Sequence, residues 1–216
     1  MRISHEHKFI FIANQKTASS AIRLALDDYS DIHGVSDINS CYYYHTSALS
    51  LKNHFEKKGW NWDDYFKFTF VRNPWDLVVS HFFYRNKVLR NCIKTGCEGW
   101  VYNFFKESFN SVGFNKWVKT VGGSMTFING HASTQKDMLV DKDGNCIVDF
   151  VGRYENLNSD FEFIRKKLGY NCNELSIENK SQHTHYSDYY NAESIEIVRN
   201  SYRPDINLFG YEFDEN

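Results

Sequence analysis

At 216 residues the chain is long enough for one well-buried α/β domain and short for two. Its formal net charge of −2 argues against a general binder of nucleic acids or of anionic membranes, so any anion site must be a local cluster of positive charge. Its five cysteines are scattered and form no CxxC pair, which does not fit the disulfide framework of a secreted domain.

The N-terminal stretch MRISHEHKF lacks the apolar core of a signal peptide, and no stretch is long enough to span a bilayer. These features predict a protein of a reducing compartment, the cytoplasm. The Golgi lumen is the alternative if the chain is the catalytic part of an anchored protein. The sequence carries no signal of the oligomeric state.

The first predicted strand covers residues 8–13, KFIFIA, and is followed by the turn NQKTAS and a helix. The spacing predicts that one face of this helix is apolar and that its charged residues point away. The apolar face comprises Ala18, Ile22, Ala25, Leu26 and Tyr29, and the outward side chains are Arg23, Asp27 and Asp28.

The turn between this strand and helix has the residue types of an anion-binding cradle. Lys16 and Thr17 stand in the order of a phosphate-loop tail, although no G-x-x-x-x-G precedes them. The backbone N–H groups of a helix start, one ammonium and the hydroxyls of Thr17, Ser19 and Ser20 suit an anion. The alternative is a helix capped by Ser or Thr beside a chance lysine.

A second turn of similar construction follows the strand YFKFTFVR, residues 65–72. Asn73 and Pro74 are typical of an N-cap and a first helical residue, opening a helix to about Arg85. Ser80 returns to the helix face on which Asn73 lies, so Arg72 and Ser80 together suit a phosphate monoester. The alternative is an arginine paired with a carboxylate and a buried serine.

Two short strands joined at Asp143 and Gly144 are predicted within residues 137–152, followed by a helix ending at Gly169. A last helix is predicted from about Ala192 to Tyr202. The alternation of strands and helices predicts an α/β fold with a central, mainly parallel sheet flanked by helices, in one domain over residues 1–216. Ligands of such sheets bind at the carboxyl ends of the strands, where both turns lie.

QKTASS, followed by FTFVRNPWDLVVSHFFY, resembles the two cofactor loops of sulfotransferases that use 3′-phosphoadenosine-5′-phosphosulfate (PAPS). It is most similar to the carbohydrate O-sulfotransferase branch, which includes the 2-O-sulfotransferases. The resemblance continues in VDFVGRYENLNSDFEFIRKKLG and in the segment from residue 179 to 213, so it touches most of the chain. It implies a P-loop-like domain of three layers.

The resemblance also implies a role for each matching position. One group would wrap the 5′-phosphosulfate: Lys16, Thr17, Ala18, Ser19 and Ser20. Lys16 would in addition stabilise the leaving group, while Arg72 and Ser80 would hold the 3′-phosphate. Ser181 lies in a later cofactor loop that often carries extra Lys or Arg, where this chain has QHTH at residues 182–185.

Transfer to a hydroxyl needs a base, and His45 in YYYHTSALS is the first candidate, because relatives resembling the 2-O-sulfotransferases place a catalytic histidine there. The alternative is that His45 caps the following helix or packs on the tyrosines. Weaker candidates for the base are His131, His183 and His185, and His81 is more typical of a structural histidine. No metal is expected, because no cluster has the ligand spacing of a zinc site.

The sequence therefore predicts a PAPS-dependent O-sulfotransferase whose acceptor is a hydroxyl, most simply of a carbohydrate. The altered loop at residues 181–186 favours a second hypothesis, a nucleotide-binding module without catalysis. A P-loop small-molecule kinase is the third, although the first loop lacks its glycines and the second strand ends in Arg72 rather than an acidic Mg²⁺ ligand.

Overall fold

A computed structural model of the chain describes residues 1–95, 113–121, 134–170, 175 and 183–214. The chain divides into two compact units, the first comprising Met1–Arg72 with Gln135–Asn179 and the second Asn73–Thr134 with Lys180–Asn216. Each unit is described by itself below. The assignment of residues 1–216 to one domain stays a prediction.

The first unit contains a five-stranded sheet with the strand order β3-β1-β2-β4-β5. β2 and β5 both pair with β4 in parallel, whereas β1 pairs with β2 and β3 in the antiparallel sense. This confirms the predicted α/β class with a parallel sheet centre. The strands are β1 Arg2–Ser4, β2 Phe9–Ile12, β3 Ile32–His33, β4 Phe66–Val71 and β5 Phe150–Arg153.

The central strands are nearly continuous apolar runs because both faces of a parallel sheet are covered. Phe9 and Phe11 of β2 and Phe68 and Phe70 of β4 are fully buried in one apolar core. That core also contains apolar side chains of two helices of the first unit, α1 Ser19–Leu26 and α5 Leu157–Leu168: Ile22, Leu26, Leu157, Phe161 and Ile164.

The helix ends of the first unit follow local chemistry. α2, Ala48–Lys58, begins after Ser47, whose side chain accepts a hydrogen bond from the Ser50 N–H, and ends at Gly59 with a φ of 71°. α5 ends at Gly169, also with a φ of 71°, as predicted. The predicted pair of strands in residues 137–152 is only partly correct, because Val140 and Cys146 form an isolated bridge and the regular strand is β5.

The described part of the second unit contains helices α3 Pro74–Thr95, α4 Phe114–Val121, α6 Ala192–Ser201 and α7 Arg203–Phe209. Trp75, Trp117 and Tyr202 are buried in its core. α3 is longer than the predicted helix, and α7 was not predicted. None of the helices described here combines the length and apolar character needed to cross a bilayer.

Candidate active site

The first turn begins at the carboxyl end of β2 and is fixed there by Asn14. This buried side chain donates hydrogen bonds from Nδ2 to Phe70 O at 3.0 Å and to Thr69 Oγ1 at 3.3 Å. Thr69 Oγ1 in turn donates to Ile12 O at 2.7 Å. Because these bonds cross from β2 to β4, the start of the loop is held to the neighbouring strand.

The loop then adopts left-handed backbone conformations at two residues that are not glycine. The φ angle is 58° at Lys16 and 59° at Ala18, the residue before α1. No side chain caps the start of α1, whereas Ser47 caps α2 and Asn191 caps α6. The first-turn N–H groups of α1 are therefore left for a partner other than a side-chain cap, and an anion is the usual partner of such groups.

The three hydroxyls of the loop have different surroundings. Thr17 is fully buried, and its Oγ1 donates to Asn14 O at 3.1 Å, so this hydroxyl supports the loop from inside. Ser19 is buried at the first position of α1. Ser20 is exposed, and its Oγ accepts a hydrogen bond from Arg23 Nη2 at 3.1 Å.

Arg72 follows the carboxyl end of β4 and reaches the first loop. Its Nη1 donates to Lys16 O at 3.0 Å, and its guanidinium carbon lies 3.9 Å from the centroid of the Tyr154 ring. Since β2 and β4 are adjacent and parallel, their carboxyl ends meet at one edge of the sheet. Arg72 and Lys16, which were predicted in separate turns, thus lie together.

Gln135 positions the main chain of Arg72, and no feature of the sequence pointed to it. Its Oε1 accepts from the Arg72 N–H at 2.8 Å, and its Nε2 donates to the Arg72 O at 2.9 Å. Gln135 is itself buried. Tyr154 was also missed, although it stands in the segment GRYEN that carries part of the family resemblance. Both side chains lie against Arg72, and Tyr154 offers it a cation–π contact.

His45 is bonded to the strand end that leads into the first loop. Its Nδ1 lies 2.7 Å from Ala13 O. Because a carbonyl can only accept, Nδ1 carries the proton, and the lone pair of the neutral ring is on Nε2. Ser47 rather than His45 caps α2, so the predicted capping is wrong. Packing on a tyrosine is confirmed, because the Tyr43 and His45 rings meet edge to face with centroids 5.7 Å apart.

The environment of His45 keeps its ring neutral near pH 7. Burial lowers the pKa of His45 from 6.5 to about 4, against the opposite effect of the hydrogen bond to Ala13. The positive charges of the Met1 amino group and of Arg23 lower that pKa further. Within the described part of the chain, Nε2 of His45 takes part in no hydrogen bond and is available to accept a proton.

Arg23 was predicted to point away from the apolar face of α1, and the structure adds a contact that this pattern did not reveal. Its guanidinium carbon lies 4.4 Å from the centroid of the Tyr44 ring. Tyr44 directly precedes His45 in the chain. Nη2 donates to Ser20 Oγ, as described above. Arg23 thus links the first loop to the segment that carries His45.

The other predicted site residues belong to the second unit or lie outside the described residues. Ser80 is buried in α3 of the second unit, and Ser181 and His131 lie outside the described residues. His183 and His185 belong to the second unit, where their Nδ1 atoms contact Thr184 O at 2.7 Å and Ser187 Oγ at 2.8 Å. Over the described ranges, no three His, Cys, Asp or Glu side chains are grouped so that they could hold a metal ion.

Comparison with known proteins relates the chain to a family and to an archaeal protein. A model of the sulfotransferase family matches residues 1–212. A protein of Archaeoglobus fulgidus, named only as an uncharacterized protein, is 32% identical over 124 residues, which cover 56% of this chain and 81% of that protein.

Proposed function

The chain belongs to the sulfotransferase family, whose reaction is the transfer of a sulfuryl group, and we propose that its donor is PAPS and its acceptor a carbohydrate hydroxyl. Sulfotransferases generally use PAPS. The carbohydrate acceptor is suggested by the branch that QKTASS and RNPWD resemble. The reaction would leave adenosine 3′,5′-bisphosphate as the second product.

The observation that carries the proposal is the contact of Arg72 Nη1 with Lys16 O at 3.0 Å. It brings a guanidinium to a loop in which Lys16 and Ala18 have left-handed conformations and the helix start has no side-chain cap. Two phosphate groups on one nucleotide need two such anion sites at a short separation. The residues present therefore fit a nucleotide with a 5′-phosphosulfate and a 3′-phosphate.

Each site residue of the first unit would then have a distinct role. The N–H groups at Ala18, Ser19 and Ser20 would bind the phosphosulfate, with Thr17 supporting the loop through its bond to Asn14. Lys16 would place its ammonium by the bridging oxygen, where negative charge grows as the S–O bond breaks. Arg72 would bind the 3′-phosphate, and Ser80 of the second unit remains its predicted partner in that role.

His45 is the proposed general base. Its Nε2 would take the proton of the acceptor hydroxyl while the acceptor oxygen forms its bond to sulfur. The bond of Nδ1 to Ala13 O holds the ring in the required tautomer. A pKa of about 4 keeps the base unprotonated at neutral pH, and negative charge of a bound donor would raise that pKa towards the working range.

Calorimetric titration with adenosine 3′,5′-bisphosphate tests the donor class, with 5′-AMP and ATP as controls and EDTA present. We expect binding that requires the 3′-phosphate and that weakens in Arg72→Ala by about 1.5–3 kcal/mol, as for a hydrogen bond to a charged group. Arg165→Ala is the matched control, because this arginine on α5 bonds Glu162 at 2.9 Å. Preference for ATP, or binding of none of the three nucleotides, would refute the proposed donor.

Turnover separates an enzyme from a nucleotide-binding module. With PAPS labelled in the sulfuryl group and a panel of glycan acceptors, we expect label in the acceptor and a loss of roughly 10²–10⁴ in rate for His45→Gln. Tight binding of the bisphosphate without label transfer to any hydroxyl acceptor would support the module instead.

A further inference from the structure

Arg23 has a buried nitrogen with no hydrogen-bond partner. Nη1 is shielded from solvent, and no described atom accepts a hydrogen bond from it, while Nη2 donates to Ser20 Oγ at 3.1 Å. The guanidinium is held by the Tyr44 ring at 4.4 Å. Leaving a buried donor without an acceptor is costly, so an anionic ligand atom would be a favourable acceptor for this nitrogen.

We propose that Arg23 is an oxyanion-binding residue of the transfer site, which receives at its guanidinium an anionic oxygen of the sulfuryl donor or of the acceptor. The inference rests on the proposed function for the identity of the ligand. Its position supports the assignment, because Ser20 lies in the first loop and Tyr44 precedes His45 in the chain. The guanidinium therefore stands between the loop and the proposed base.

Arg23 carries its positive charge in a partly buried position. Burial is the main cause that lowers the pKa of Arg23 and Arg2 acts in the same direction, whereas Tyr44 and Asp27 raise it. Two groups act on His45 through their charge, Arg23 and the Met1 amino group. Arg23 is the cation at neutral pH, because burial lowers the pKa of the Met1 amino group to about 4. A bound anion would offset the charge of Arg23.

The charge of Arg23 also affects the basicity of His45. On its own, the charge of Arg23 opposes protonation of the imidazole. An anionic oxygen at Arg23 would cancel that effect and make Nε2 of His45 a stronger base when the ligand is in place. Arg23 would thus act on the base through its charge, as a residue that couples anion binding to proton transfer.

The first test needs no nucleotide. The pH titration of the His45 ring protons is followed by NMR in the full chain, in sodium chloride and in sodium sulfate at equal ionic strength, with the signal assigned by its loss in His45→Gln. In the wild-type protein we expect sulfate to raise the midpoint by about 0.5 or more, roughly threefold in proton affinity. In Arg23→Met the midpoint should already be higher in chloride and should not respond to sulfate.

Two further variants keep this test decisive. Arg23→Lys retains the charge and should keep the chloride midpoint of the wild type, and Arg165→Met controls for loss of an arginine elsewhere in the first unit. A wild-type midpoint that is the same in both salts would overturn the proposal. A response to sulfate in Arg23→Met equal to that of the wild type would overturn it as well.

Calorimetry and kinetics then identify the source of the anionic oxygen. If it belongs to the sulfuryl group, Arg23→Met should lose roughly 10- to 100-fold in affinity for PAPS and little for adenosine 3′,5′-bisphosphate, which lacks that group. If it belongs to the acceptor, both nucleotides should bind as in the wild type, while KM rises for an anionic acceptor and not for a neutral one. Failure of the wild-type protein to bind either nucleotide would count against the proposed function, and the sulfate titration would still decide the role of Arg23.

Discussion

Lowering the pH should destabilise the protein partly through His45, because its surroundings disfavour the protonated ring. The pKa of His45 is about 4 in the folded chain and 6.5 for the unperturbed side chain, so the unfolded chain binds a proton more readily. The stability contributed by the neutral ring is fully present above pH 6.5 and is lost as the pH falls from 6.5 towards 4. The whole difference corresponds to about 3 kcal/mol, of which about 2 kcal/mol is lost by pH 5.

Urea denaturation of the wild-type protein and of His45→Gln at pH 7.5 and pH 5 measures this contribution. We expect the wild type to lose about 2 kcal/mol more than the variant between the two pH values, because glutamine does not titrate. The Met1 amino group, whose pKa burial lowers from 8.0 to about 4, titrates in both proteins, so the comparison measures His45 together with its interaction with this amino group. His33→Gln, which removes an exposed histidine, shows whether loss of any imidazole has this effect. Equal losses in the wild type and in His45→Gln would refute the half-buried, neutral state of His45.

Three further substitutions test the framework of the site by urea denaturation. Gly152→Ala should destabilise the protein by about 1–3 kcal/mol, because its Cβ would lie 2.5 Å from Phe70 Cε1 in the core, and a neutral result would mean that this contact is absent. Ala18→Gly should raise the stability by about 0.5–1 kcal/mol, since φ is 59° there, whereas a loss would contradict the left-handed conformation. Gln135→Leu should lower the free energy of unfolding by about 1–3 kcal/mol, because the N–H and O of Arg72 lose their hydrogen-bond partners. The same variant should bind the nucleotide more weakly. Unchanged binding in a destabilised variant would show that Gln135 does not position the site.

The sequence was most informative where a pattern is long or a cap is local. β2, β4 and α5 were predictable because an apolar run or a helical period extends over several residues and Gly169 ends the last of them. β1 and β3 were not, because strands of three and two residues carry too few positions to show a period. The end of α3 was placed too early, although Val88, Leu89, Cys92 and Ile93 continue the helical spacing of apolar residues beyond Arg85.

Site residues that directly follow a predicted strand could be predicted from the sequence. Those that reach the site through tertiary contacts could not. Lys16 and Arg72 follow predicted parallel strands, so their proximity could be expected from topology alone. Gln135 reaches Arg72 over a separation of 63 residues, and no periodicity encodes such a contact. Arg23 was assigned to the outer face of α1, because helical spacing cannot show that Tyr44 covers that side chain.

The amide of Gln135 imitates a peptide group. It offers one acceptor and one donor to the main chain of Arg72, as a neighbouring strand would, one residue beyond the last β4–β5 pair at Val71 and Arg153. A side chain thus extends the hydrogen-bond ladder of β4 by one residue, and the backbone of β5 does not have to continue to that position. A single substitution can change these bonds separately, since Glu at position 135 would keep the acceptor and lose the donor. The orientation of Arg72 is therefore open to adjustment by evolution without any change in the strands themselves.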